Sequence, residues 1–402
     1  MCSSNLRYGG DRLRFLLSPD SYKGSLTAKE VAEVMESAII NVCPMAEIVK
    51  FPIADGGEGT VEALTEANDG EFVTVRVTGP AQKPVLAKYG VFDQKQTAVI
   101  EMAEASGLTK MSKKERNPLK TTSFGTGELI KHALGLGCKR IIVGVGGSAT
   151  NDGGVGMAQA LGVNFYDQHG QEIGLGGAEL SKIDHIDISR LDPRIRETEI
   201  IIASDVTNPL CGKEGASYVF GPQKGATETM VAELDRGLMH FANKIKEQLH
   251  VDVLNKEGAG AGGGIGAGLM AFLQGNMKKG IDVVLEFTNL EKTMKDVDVV
   301  FTGEGYTDEQ TKYGKAPVGV ALLAKKYEKP VICVSGGVSN DVSELYRFGI
   351  DVAIGTVQAP MSVEDAMKHA KQNLYHATSS IVRALFLCPS FRSLNRHHGT
   401  AR

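Results

Sequence analysis

KRIIVGVGGSATND, Lys139 to Asp152, is a short β-branched run that stops in a loop of glycine, serine, asparagine and aspartate. The run reads as a buried strand and the loop as its turn into a helix. The same pattern recurs in RFLLSPD from Arg14, EIVKFPIADGG from Glu47, EIIIASDVTNP from Glu199, DVDVVFTGEG from Asp296, KPVICVSGG from Lys329 and DVAIGTV from Asp351. Most of these runs lead into apolar residues at three- and four-residue spacing. Ala28–Val42 is one case, with Val31, Val34, Met35, Ala38 and Ile39 on one face; Ala316–Tyr327 and Val363–Leu385 are others. Strands alternating with helices predict an α/β protein whose parallel sheets are covered by helices.

The stretch from Phe72 to Met102 reads differently. Phe72–Val77, Val85–Phe92 and Ala98–Met102 follow one another closely, with Gly79-Pro80 and Asp93 as turn residues. That predicts hairpins and a mixed sheet. The two ends of the chain supply about two and about three βα units, too few for a core each but enough together for a five-stranded doubly wound sheet. The expected organisation is therefore discontinuous. Residues 1–69 and 290–386 form one α/β domain, 70–289 an inserted α/β domain with a mixed sheet, and 387–402 a basic, aperiodic tail carrying His397 and His398. A simple sequential split is the plainer alternative.

Composition bounds the function. The 402 residues carry a formal net charge of -4, which gives no reason to expect nucleic acid or an anionic membrane as partner. No apolar run approaches the ~20 residues that span a bilayer, and Phe15–Leu17 is too short for a secretory signal. The 6 cysteines lie far apart with no C-x-x-C pair, so free thiols in a cytoplasmic protein are expected rather than a zinc or redox motif. A homodimer stays open as the assembly.

In parallel α/β sheets ligands bind beyond the carboxyl ends of the strands. The loops there are Asp20–Ser25, Asp55–Thr60, Gly144–Gly154, Ser204–Pro209, Gly303–Asp308 and Ser335–Gly337. One such loop needs only an Asp or Ser as a helix cap. A whole set with flanking glycines and second acids points instead to phosphoryl transfer, which needs backbone N–H groups and cations around phosphates, carboxylates for magnesium, and a base. Asp152, Asp205, Glu304 and Asp308 are candidate metal ligands or bases. Lys23, Lys224 and Lys315 are candidate partners of phosphate or carboxylate. Gly258–Gly264, opening a helical stretch, is either a second phosphate seat or a hinge.

A dinucleotide fingerprint competes. Gly258-x-Gly260-x-x-Gly263 fits it, Gly144-x-Gly146-x-x-Ala149 fits a variant, and Asp167 lies at about the right distance. That is the basis for the alternative, an NAD-dependent oxidoreductase of a small hydroxy acid. Against it, the glycines after the strand run on through Gly154 and delay the helix. No G-x-x-x-x-G-K-[ST] is present either.

Beyond single loops, the sequence resembles the type 1 glycerate kinases of bacteria. The resemblance lies in SPDSYKGSLTA from Ser18, PIADGGEGT from Pro52, TSFGTGELI from Thr122 and GGSATNDGGVGMAQALG from Gly146. It continues in DVTNPLCGKEGASYVFGPQKGA from Asp205, GAGAGGGIGAGLMAFL from Gly258 and GEGYTDEQTKYGKAPVGVA from Gly303. These run in the family's order from about Arg14 to Leu385, departing at Tyr22, where Phe is usual. The resemblance implies two α/β domains, one flavodoxin-like, with a cleft between them that closes on the substrate. It implies transfer of the γ-phosphoryl of ATP, with Mg2+, to D-glycerate, at the 2-hydroxyl. On that basis Lys23, with Asp20, Ser21, Asp55 and Asn208, is expected around the substrate. Asp205 or Asp152 orients the hydroxyl, Glu304 and Asp308 hold the metal, and Gly146, Gly147, Ser148 or Gly260, Gly262, Gly263 cradle the nucleotide.

Overall fold

The computed structural model describes residues 12–53, 57, 59–309, 311 and 315–387. Asp55 and the tail with His397 and His398 lie outside them. The described residues fall into two compact units, one running to Ile53 and resuming at Val284, the other lying between.

In the first unit five strands make one sheet. Their order is Val352–Gly355, Val331–Ser335, Val299–Thr302, Arg14–Leu17, Glu47–Lys50, and every neighbouring pair is parallel. Arg14–Leu17 lies inside this sheet, which is why Phe15, Leu16 and Leu17 are all buried without alternation. Phe15 and Leu17 share a core with Phe301, Val334 and the helices Ala28–Val42 and Ala370–Leu385. Thr27 starts the first of these helices: its hydroxyl accepts the Glu30 N–H while the Glu30 carboxylate accepts the Thr27 N–H. The helical pattern over 363–385 is two helices, Val363–Lys368 and Ala370–Leu385.

The second unit holds a six-stranded mixed sheet. Asn276–Lys278, Glu199–Ala203, Arg140–Gly144 and Thr97–Glu101 run parallel; Pro84–Phe92 and Glu71–Thr78 are added antiparallel. The turn at Asp93, Gln94 and Lys95 uses positive φ, which closes the hairpin in few residues. The fully buried strand Thr97–Glu101 ends in an acid. Sequence reading does not anticipate the small strands Asn164–Tyr166, His185–Asp187 and Asn276–Lys278. At three residues each, they are too short for any periodicity to show.

Candidate active site

In the first unit the strand ends are laced together. Thr302 Oγ1 donates to the Ser18 carbonyl, Asp20 N donates to the Gly303 carbonyl, and the short strands Tyr306–Thr307 and Gly337–Val338 pair in parallel beyond them. Gly303 has to be glycine, because a Cβ there would collide with the Val334 carbonyl. This places Glu304 inward. It is 6% exposed, and its Oε1 accepts from Thr307 Oγ1 (3.1 Å) and Thr311 Oγ1 (2.7 Å). Burial raises its pKa, against the hydrogen bond from Thr311 and the charge of Lys315. Lys315 Nζ stands 3.7 Å from Glu304 Oε2 and 3.9 Å from Asp308 Oδ1. Asp20 is buried and accepts the Ser21 N–H at 2.6 Å, whereas Lys23 is exposed. The Tyr22 hydroxyl donates to the Val334 carbonyl at 2.6 Å, so the phenol that departs from the family pattern finds a partner. Its burial raises the pKa well above the usual phenol value.

In the second unit Asp152 is buried and committed. Oδ2 accepts from Ser123 N (2.7 Å) and Ser123 Oγ (2.9 Å), and Oδ1 from Gly154 N (3.2 Å). Burial raises its pKa against these donors. Asp205 is half-buried and its Oδ1 accepts the N–H of Gly280, the first residue of the helix Gly280–Phe287. Asn208 Nδ2 donates to the Glu214 carbonyl. Lys224, one of the candidate anion partners, is 1% exposed and its ammonium turns inward to Ser148 Oγ and the Thr150 carbonyl, both at 2.7 Å.

The two glycine loops prove unlike. Gly147 is exposed, with φ +70°. Gly262, Gly263 and Gly264 are all left-handed, and Gly153 N donates to the Gly263 carbonyl. A Cβ on Gly263 would strike the Thr150 carbonyl, and one on Gly260 the Pro209 carbonyl. These glycines let three backbone segments touch.

Glu101 is not singled out by sequence reading. It ends its strand, is 7% exposed, and accepts the Val61 N–H at 3.0 Å. Burial pushes its pKa up to about 8. The available signal is a lone acid terminating a buried apolar run.

Which groups could hold a metal? Among the described residues no cluster of three or more His, Cys, Asp or Glu is arranged for one. Glu304 and Asp308 nevertheless converge on one cationic atom, Lys315 Nζ. Two carboxylates fit magnesium, which takes one or two from the protein and the rest of its ligands from phosphate and water.

The dinucleotide alternative fails on geometry. After Gly144 the helix does not begin until Val155, and Asp167 is a half-buried loop residue whose carboxylate accepts the N–H groups of His169 and Gln171. The comparisons give no support to the oxidoreductase either. The model of the family described as "Glycerate kinase family" matches residues 15–386. A glycerate 2-kinase of Escherichia coli (strain K12) is 49% identical, the match covering 93% of this chain and 98% of the relative. A glycerate kinase of Bacillus subtilis (strain 168) is 47% identical over 93% and 98%. A crystal structure from Salmonella typhimurium LT2, provisionally described as glycerate kinase 2, superposes with TM-score 0.81 at 47% identity, covering 94% of this chain and 99% of that one. Matches this long and this close, in sequence and in structure, leave one conclusion: the chain belongs to the glycerate kinase family.

Proposed function

We propose that this protein transfers the γ-phosphoryl group of ATP to D-glycerate, forming 2-phosphoglycerate. The observation that carries the reading is the family match along almost the whole chain, with a relative named glycerate 2-kinase at 49% identity. The acids and lysines at the strand ends supply the parts the reaction needs.

In the first unit the exposed Lys23 ammonium, with Asp20 and Ser21 beside it, receives the substrate carboxylate. Glu304 and Asp308 would hold magnesium, which when bound neutralises charge on the phosphates. Lys315 lies within reach of both carboxylates and adds a second positive charge. In the second unit Asp205 orients the attacking hydroxyl and accepts its proton; it is half-buried, whereas every donor around Asp152 draws on that carboxylate. Asp152 therefore fixes Ser123 and Gly154 rather than touching substrate. Gly146, the open Gly147 and Ser148 approach the phosphates through their backbone. Gly260, Gly262 and Gly263 support them from behind, and Asn208 braces the Asp205 loop.

We read the first unit as flavodoxin-like, because its strands, numbered along the chain, lie in the order 2-1-3-4-5. The cysteines Cys43, Cys138, Cys211 and Cys333 are free, which suits a reducing cytoplasm. No helix among the described residues is long and apolar enough to cross a membrane.

The test is ADP release from ATP and magnesium with and without D-glycerate, followed by identification of the product. Glycerate-dependent ADP together with 2-phosphoglycerate is the expected result. 3-Phosphoglycerate would overturn the regiochemistry, and no glycerate-dependent ADP would overturn the substrate.

A further inference from the structure

We propose that Lys224 is a positioning residue for phosphoryl transfer: its buried ammonium pins Ser148 and the Thr150 carbonyl and so sets the shape of the glycine loop Gly146–Asp152. The inference rests on the phosphate role given to that loop above. Lys224 lies 76 residues from Ser148 and 74 from Thr150 along the chain, and the short turn Pro222–Lys224 delivers it. Gly225 ends that turn in a left-handed conformation; a Cβ there would sit 2.6 Å from the Arg116 carbonyl oxygen. The lysine's approach to the loop is thus built by packing.

A tie that was only structural would not need a charge. Burying an ammonium is expensive, and a neutral donor or a methylene would fill the same space at lower cost. Here burial pulls the lysine's pKa down to about 7, with the Asp152 carboxylate acting the other way. What the charge provides is direction. Because Ser148 Oγ accepts from Lys224, its own hydrogen is left to donate elsewhere. The loop also keeps Thr150 Oγ1 and Asn151 Oδ1 buried without hydrogen-bond partners. Unsatisfied buried groups are rare, and each calls for an explanation beyond the packing around it. An open glycine edge at Gly147, a hydroxyl aimed by a lysine, and a carbonyl held from below together form a loop fixed before any ligand arrives.

The experiment compares wild type, Lys224→Met, Ser148→Ala and the double variant, each scored per folded molecule. The expected result is a kcat about 100-fold lower for Lys224→Met, with both KM values changed less than about 3-fold, and about 10-fold lower for Ser148→Ala. The double variant should be no slower than Lys224→Met, because the two side chains act as one unit. Amide hydrogen exchange of residues 146–152 should quicken in Lys224→Met while the rest of the second unit keeps its protection. A purely structural lysine would lower Tm and leave kcat per folded molecule unchanged, which overturns the proposal, as would effects of the two single variants that multiply. If Lys224→Met fails to fold, Ser148→Ala decides: an unchanged kcat overturns it. If wild type releases no glycerate-dependent ADP, the functional reading fails by itself. Loop exchange then decides the tie, and unchanged exchange removes it.

Discussion

Gly146–Gly147 and Gly260–Gly264 are both runs of small residues ahead of a helix, and they are put to opposite uses. The first has an exposed edge; the second is packed backbone to backbone against Thr150 and Pro209. Gly147 is favoured by its left-handed φ where space is open to a proposed ligand, whereas at Gly260 and Gly263 the chain itself leaves no room for a side chain. The lesson is that glycine density marks close approach without saying what approaches.

The sharpest way to break this contrast is Gly263→Ala. Its φ of +76° and the collision with the Thr150 carbonyl should together cost about 3–6 kcal/mol, enough to abolish soluble folded protein or drop Tm steeply. A Tm near wild type would mean the second loop is slack and free to serve a ligand.

Next come the two aspartates. Asp152→Ala strips the acceptor from Ser123 N, Ser123 Oγ and Gly154 N, and should cost about 3 kcal/mol in denaturant unfolding. Asp205→Asn keeps an oxygen for the Gly280 N–H, so stability should change little while kcat falls by about 10²–10⁴. Surviving turnover would remove Asp205 as the base.

Glu101 offers a pH-dependent test. Its folded pKa of about 8 is above the ordinary value, so the folded state binds the extra proton. Its contribution to stability is complete below about pH 4.5 and is lost as pH rises through about 8. The loss should be about 4 kcal/mol between pH 5 and 9, read as a falling Tm. Glu101→Gln, still able to accept the Val61 N–H, should flatten that slope; an equal slope in both proteins would assign it to other groups.

The smallest combined effect on stability and activity belongs to Gly147→Ala. Space is open there except for the Ala103 Cβ at 3.1 Å from the added atom, so only the left-handed φ of +70° is penalised, by about 1 kcal/mol. Activity should fall about 10-fold if the backbone here meets phosphate. Full activity would move the phosphates elsewhere.

Much of this was readable beforehand. The α/β class followed from alternating runs such as Phe15–Leu17 and Ile141–Val143. The hairpins followed from turn residues such as Gly79-Pro80 and Asp93, because periodicity and turn chemistry are local properties. The reacting side chains could be named but not sorted. Lys23 and Lys224 look alike in sequence, yet one is exposed and the other is buried on Ser148. Asp152 and Asp205 each follow a strand within a polar loop, yet only one is saturated with donors.

By itself, then, the sequence determined the order of strands and helices, the loops that carry acids and glycines, and through their ordered motifs the family. Tertiary structure alone decided which glycine meets a backbone, which lysine is buried, and that Glu101 holds a proton near neutral pH. The physical reason is distance along the chain. Propensity acts over a few residues, whereas Tyr22 meets Val334 and Lys224 meets Ser148 only because folding brings together segments 312 and 76 residues apart. Burial, which sets charge and packing, exists only once they have met.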